Sequence, residues 1–200
     1  MNTIEVPEVR DAGAVARMHL RAWYETYDQD GSGVDAAWIA QNLGHLGTAA
    51  GIDGWAAEIA VARREPERVF CRIVRTITEV GATTDGATAI DAVTGAGTVR
   101  ADGDAGGGAP VVGFLYGRRA DTVTLGPMYL LAEAQGTGVA DLLMGEFLGW
   151  AGAAPIRLWV SEFNTRAVRF YTRYGFVATG ERELWRDRLR NVRMVRPAGG

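Results

Sequence analysis

The sequence predicts an α+β fold, a mixed sheet with helices on both sides, and three observations carry that expectation. Amphipathic repeats of helical period alternate with short runs rich in β-branched and aromatic residues. Apolar residues make up 48% of 200 positions, enough for one domain with a substantial core. Between about residues 122 and 151 a strand-like run meets closely spaced glycines and then a helical pattern, a strand–turn–helix junction.

Taken in order, the elements begin with a strand around Thr3–Val6. Asp11 is expected to cap a helix on which Val15, Met18, His19 and Ala22 share one buried face, ending near Tyr27. The stretch DQDGSG, residues 28–33, breaks that helix. Asp28, Asp30 and Ser32 alternate as in a calcium loop, but Ile39 stands where the bidentate Glu is required, so calcium is set aside. A second helix starts after Asp35 and carries Trp38, Ile39 and Leu43, followed by a glycine-punctuated connection over residues 44–54. Residues 54–69 read either as a short helix or as strand-like pieces. Residues 69–80 read as a strand.

Residues 82–109 differ in kind, since 24 of the 28 are Gly, Ala, Thr or Asp and none is aromatic. Such a segment cannot offset its own ordering entropy, and it is expected to be a flexible insertion between two strands. Strands follow at 111–119 and 122–131. Val139, Leu142, Leu143, Phe147 and Trp150 then give a helix through about Ala151, and 156–162 reads as the next strand. Asn164 caps a short helix with Ala167, Phe170, Tyr171 and Tyr174 on one face; Gly175 supplies a left-handed C′ residue and Phe176 the apolar residue beyond it. A strand pair near 176–185 and 189–197 closes the chain.

Composition removes several function classes. One cysteine, Cys71, excludes an internal disulfide, and two histidines, His19 and His45, give no metal-finger spacing. No apolar run approaches the roughly 20 residues that span a bilayer, and the start has no signal-peptide pattern, so a cytoplasmic protein with no membrane partner is expected. All 21 cations are arginine, which excludes a Walker-type P-loop for want of its lysine. Residues 151–200 hold 10 Arg against 4 acids, while residues 1–150 hold 11 against 20. The basic tail suits either an anionic ligand or an ordinary solvated face, and a pI near 5.5 argues against nucleic acid as a partner.

The stretch AEAQGTGVADLL, 132–143, decides the functional reading. Closely spaced glycines at a helix start aim free amides at an anion. A dinucleotide fingerprint fails because Asp141 occupies the position of its third small residue. Gln135, Gly138 and Ala140 instead fit the pattern Q/R-x-x-G-x-G/A, and NTRAVRFYTRYGF, 164–176, carries Asn164, Ala167, Tyr171, Gly175 and Phe176 in a matching order. On these two motifs the chain resembles the GNAT superfamily of N-acetyltransferases, most clearly over residues 111–180. The first helix, with its His and aromatics, looks similar too. Ala132, Gln135 and Ala140 stand where Pro, Arg and a second Gly are commoner in that family.

The resemblance implies a GNAT-like acyltransferase fold, with a mostly antiparallel sheet, over residues 1–200 as a single domain. It implies acetyl-CoA as cosubstrate, no metal, and an amine acceptor attacked directly in a ternary complex. The backbone at Gln135, Gly136, Thr137, Gly138, Val139 and Ala140 would hold the CoA pyrophosphate. Leu130 and Leu131 would lie beside the thioester, whose carbonyl the amide near Leu130 would polarise. Asn164 would approach the pantetheine arm, and Tyr171 would protonate the departing sulfur. Glu133, Glu162 or water would accept the proton of the amine. Arg166, Arg169 and Arg173 would meet the CoA 3′-phosphate or form the wet side of their helix. Trp23, Tyr24, Tyr27 and Trp38 would shape the acceptor pocket or simply pack. Cys71 reads as a small buried hydrophobe rather than a nucleophile. A noncatalytic acyl-CoA-binding module on the same fold is the rival reading, and a toxin acting on charged transfer RNA is disfavoured by the acidic pI. The identity of the acceptor and the oligomeric state, a homodimer included, stay open.

Overall fold

The computed structural model describes residues 1–77 and 108–199. The chain runs β1 (Asn2–Glu5), α1 (Ala12–Tyr27), α2 (Ala36–Leu43), α3 (Ala49–Arg64), β2 (Val69–Thr76), β3 (Val111–Arg119), β4 (Val123–Leu130), α4 (Val139–Ala151), β5 (Ile156–Ser161), α5 (Thr165–Arg173), β6 (Val177–Trp185) and β7 (Leu189–Arg196). Short 3₁₀ turns fall at Val9–Asp11, Gly44–Gly47 and Ala132–Ala134. The insertion expected over 82–109 lies, except for its last two residues, outside the described residues, as do 78–80 of the strand expected over 69–80.

One seven-stranded sheet has the order β1-β2-β3-β4-β5-β7-β6. Every neighbouring pair is antiparallel except β4 and β5, which are joined through the α4 crossover and run parallel. Side-chain alternation on β3 shows that both faces are covered. Phe114 and Tyr116 point to one side and meet Trp55 of α3, while Gly117 on the other side lies under Phe147 of α4. Seven consecutive residues of β3 are buried for this reason. A second, smaller cluster joins α1 to α2 and β7 through Trp23, Tyr27, Ile39, Leu43 and Leu189.

Two expectations need correction. The connection expected over 44–54 is mostly helix: α3 starts at Ala49 and buries Trp55, Ile59 and Ala62 on one stripe. Its glycines misled the reading because Gly51 is there for contact, not for a bend. A Cβ on Gly51 would fall 2.3 Å from the Leu46 carbonyl oxygen, so only hydrogen lets α3 dock on the preceding turn. Asp11, expected to cap α1, makes no cap bond to it. Its carboxylate accepts the Glu8 amide at 2.7 Å and pairs with Arg75 at 2.5 Å, tying α1 to β2.

Candidate active site

The parallel contact between β4 and β5 is short. Only Val123↔Ile156 and Thr124↔Arg157 are in register, and beyond them the two strands diverge. Pro127 sits where the β3–β4 register shifts between Leu115 and Gly117, an irregularity at which a residue without an N–H is tolerated. The Leu131 amide donates to Val112 of β3 at 2.8 Å. Alternation along the strand therefore turns the Leu130 amide away from β3 and into the opening. Gln135 closes the end of this opening by donating from Nε2 to the Leu130 carbonyl at 2.9 Å.

The glycine loop follows directly. Gly136 and Gly138 have φ of +77° and +84°, left-handed values that glycine adopts without strain, and Gly138 is the N-cap of α4. The amides of Gly136, Thr137, Gly138, Val139 and Ala140 have no backbone acceptor among the described residues. Five donors at the positive end of a helix, with no side chain over the two glycines, form a concave anion site. Thr137 turns its hydroxyl back to the Ala134 carbonyl at 2.7 Å, which fixes the loop. Asp141, which argued against a dinucleotide, is occupied by Tyr174 at 2.6 Å and Arg173 at 3.2 Å.

Loop and opening are parts of one cleft of about 1560 Å³. Tyr171, Asn164, Leu130, Gln135, Gly136, Gly138 and Ala140 all line it. Asn164 spends its side-chain oxygen on the Ala167 amide at 3.0 Å, as a helix cap. Tyr171 is 7% exposed, its ring packed against Phe170 and Phe176. Its hydroxyl bonds to no group among the described residues. Burial, and secondarily Tyr27, pushes its pKa well above the ordinary phenol value, so it holds its proton at all physiological pH. Arg166, Arg169 and Arg173 also line the cleft, and Arg166 donates to the Gln135 side-chain oxygen.

Several expected site residues stand apart. Leu131 is 2% exposed and its amide is consumed by β3, so it offers nothing to the cleft. Glu133 points elsewhere: both its oxygens are held by Arg21 at 2.9 Å. Glu162 pairs with Arg182 and likewise does not line the cleft. Trp23 and Tyr27 line it, whereas Trp38 borders a separate, smaller cavity beside Asp28 and Asp35, and Tyr24 borders neither. Cys71 is buried on β2, where desolvation raises its thiol to about 12, far from nucleophilic use.

Residues 97–178 match the family model described as an acetyltransferase (GNAT) domain. A stretch of 77 residues is 40% identical to uncharacterised N-acetyltransferases of Mycobacterium bovis and Mycobacterium tuberculosis, covering 36% of this chain. That match spans 49% of those relatives, about half their length. Among solved structures, the PaiA N-acetyltransferase of Thermoplasma acidophilum in complex with coenzyme A superposes with a TM-score of 0.67 at 13% identity, over 98% of this chain and 99% of that one. A GNAT-family acetyltransferase of Streptococcus pneumoniae gives 0.60 at 13% identity over the full length of both. Over residues 97–178 the chain is thus similar to GNAT acetyltransferase domains, and its fold is that of the GNAT structures it superposes on.

Sequence reasoning missed part of this cleft. Ser161, Asn191 and Glu183 line it from three adjacent strands, and none carried a local signal. Glu183 lies in GERELW, which reads as an exposed strand, and Ser161 ends β5 as an ordinary strand terminus. Glu25 was also missed; it accepts the Ala132 amide at 2.8 Å while paired with Arg21.

Proposed function

We propose that this protein transfers an acetyl group from acetyl-CoA to a primary amine, with both substrates in the cleft together. The observation that carries the reading is the junction itself: of the unpaired amides at the start of α4, those of Gly136, Gly138 and Ala140 belong to residues that line the same cleft as Tyr171 with its unpartnered hydroxyl. The cleft volume exceeds the roughly 300–1,000 Å³ of a pocket for one small ligand, which suits two. In this reading residues 1–200 act as one acetyltransferase domain, with 82–109 as an insertion.

Bound acetyl-CoA supplies the activated acetyl thioester. The amides of residues 136–140 hold its pyrophosphate, and Arg166, Arg169 and Arg173 add positive field along the same wall. The Leu130 amide donates to the thioester carbonyl oxygen, where negative charge grows as nitrogen attacks. Asn164 keeps the pantetheine wall in place by fixing the start of α5. Tyr171 gives its proton to the sulfur as the C–S bond breaks and recovers it from water. Glu133 and Glu162 are committed to Arg21 and Arg182, so the amine proton passes to cleft water as the N–C bond forms.

Release of the CoA thiol, followed with a thiol-reactive dye across a panel of amines, tests the reading. Turnover without transfer of labelled acetyl onto the protein supports direct attack; label retained on the chain would sink it. Tight CoA binding with no turnover of any amine favours the noncatalytic module instead.

A further inference from the structure

Across β5, β7 and β6, Ser161 faces Asn191 and Asn191 faces Glu183 in register. Residues opposed in this way project from one face of the sheet, and all three line the cleft. The Asn191 amide donates to Glu183 Oε1 at 2.9 Å and holds the carboxylate in place. Of the cleft's carboxylates, Glu25 is paired with Arg21 and Asp141 with Arg173, while Glu183 has no cationic partner among the described residues. The arginines next to it are committed, Arg182 to Glu162 and Arg193 to Glu181. Ser161 is 2% exposed, and its Oγ is one of two buried side-chain polar atoms among the described residues with no hydrogen-bond partner. A buried hydroxyl without a partner is costly, and this one borders the cleft. The neighbouring aromatics do not supply cation recognition. Trp185 stacks on Trp23 at 5.4 Å and carries the Arg186 guanidinium at 4.9 Å, and Tyr27 packs on Trp23 at 4.6 Å.

A carboxylate placed against the reacting nitrogen would favour its charged, unreactive form. It suits a positive charge that stays positive. Resting on the transferase reading above, we propose that the acceptor is a diamine-type substrate: a primary amine joined by a flexible chain to a second ammonium, which binds Glu183 while Ser161 Oγ bonds a polar group of the bound molecule. Glu183 lies two strand spacings, roughly 10 Å, from Ser161 at the Cα positions, so a molecule that reaches both is an extended chain of several bonds.

Calorimetric titration of the CoA-loaded full chain with diaminohexane and with hexylamine tests this, alongside thiol release from acetyl-CoA with the same amines. The diamine is expected to bind about tenfold more tightly than the monoamine, in line with a charge-assisted contact. Glu183→Gln keeps an acceptor for Asn191 but removes the charge, and should bring the two amines to parity; Glu183→Asp should retain part of the preference. Ser161→Ala should weaken the diamine without lowering the melting temperature of the ligand-free protein, because no protein bond is lost. Failure of the diamine to bind, equal affinity for both amines in the parent protein, or a diamine preference that survives Glu183→Gln overturns the proposal. Glu183-dependent diamine binding without thiol release upholds this site and removes the transferase reading. Thiol release at equal rates with both amines, in parent and variant alike, does the reverse.

Discussion

Tyr171→Phe removes one oxygen from the cleft and little else. The ring keeps its packing on Phe170 at 5.6 Å and Phe176 at 5.7 Å, and the hydroxyl leaves behind no orphaned protein partner. Stability should therefore change by less than about 0.5 kcal/mol, since no intramolecular hydrogen bond is lost. Catalysis should change far more. A positioned general acid contributes about 10²–10⁴ in rate, and a thiol of ordinary pKa near 8.5 is a fair leaving group without one, which points to about 10². That corresponds to about 3 kcal/mol in the transition state. Because burial raises the Tyr171 pKa, the acid stays protonated, and active, until pH climbs through that raised value. The parent rate should thus keep rising through pH 9 as the amine deprotonates, with no tyrosine-dependent alkaline limb near 10. Thiol release with a validated amine gives kcat, and scanning fluorimetry gives Tm. An unchanged kcat in a normally melting variant refutes the assignment of Tyr171 as the acid.

Three further outcomes follow from the fold. Burial lowers the His19 pKa from 6.5 to about 4, so the unfolded chain binds more protons than the native one between these values. Stability should fall by about 3 kcal/mol as pH drops across that window, and denaturant titrations at stepped pH should show His19→Gln losing most of this slope. Gly138→Ala forces an L-residue into φ +84° and should cost about 1–2 kcal/mol. Gly145→Ala, inside α4 with open space around it, should instead gain about 0.5–1 kcal/mol, so the two variants should move Tm in opposite directions. Gly51→Ala places a Cβ 2.3 Å from the Leu46 carbonyl oxygen and should cost about 1–3 kcal/mol, read as a lower denaturation midpoint with unchanged m-value.

The elements that position the glycine loop were legible because their signals are local. For β3, β4, α4, β5 and α5, strand composition, apolar spacing, the Asn164 cap and the positive-φ glycines act within a few residues of one another. Failures occurred where the deciding partner is distant. Gly51 looks like a helix breaker until the turn at Gly44–Gly47 is packed beneath it. Glu133 looks like a free carboxylate beside the loop until Arg21, 112 positions earlier in the chain, arrives to hold it. Leu131 looks equivalent to Leu130 until strand alternation gives one amide to β3 and the other to the opening. The row Ser161–Asn191–Glu183 exists only through sheet register, which no single segment encodes.

The divergence of β4 from β5 leaves the outer side of β4 as bare main chain, aligned by β3 alone. In the proposed reading, recognition there would depend on the orientation of the peptide groups rather than on the Met128 or Leu130 side chain. It is vulnerable to one residue type in particular. A proline at position 130, three residues beyond the dipeptide Gly126-Pro127 that the strand already accommodates, would erase the donor itself while leaving the pairing of Leu131 with Val112 intact. What this edge has to keep, in that reading, is the hydrogen on the Leu130 nitrogen.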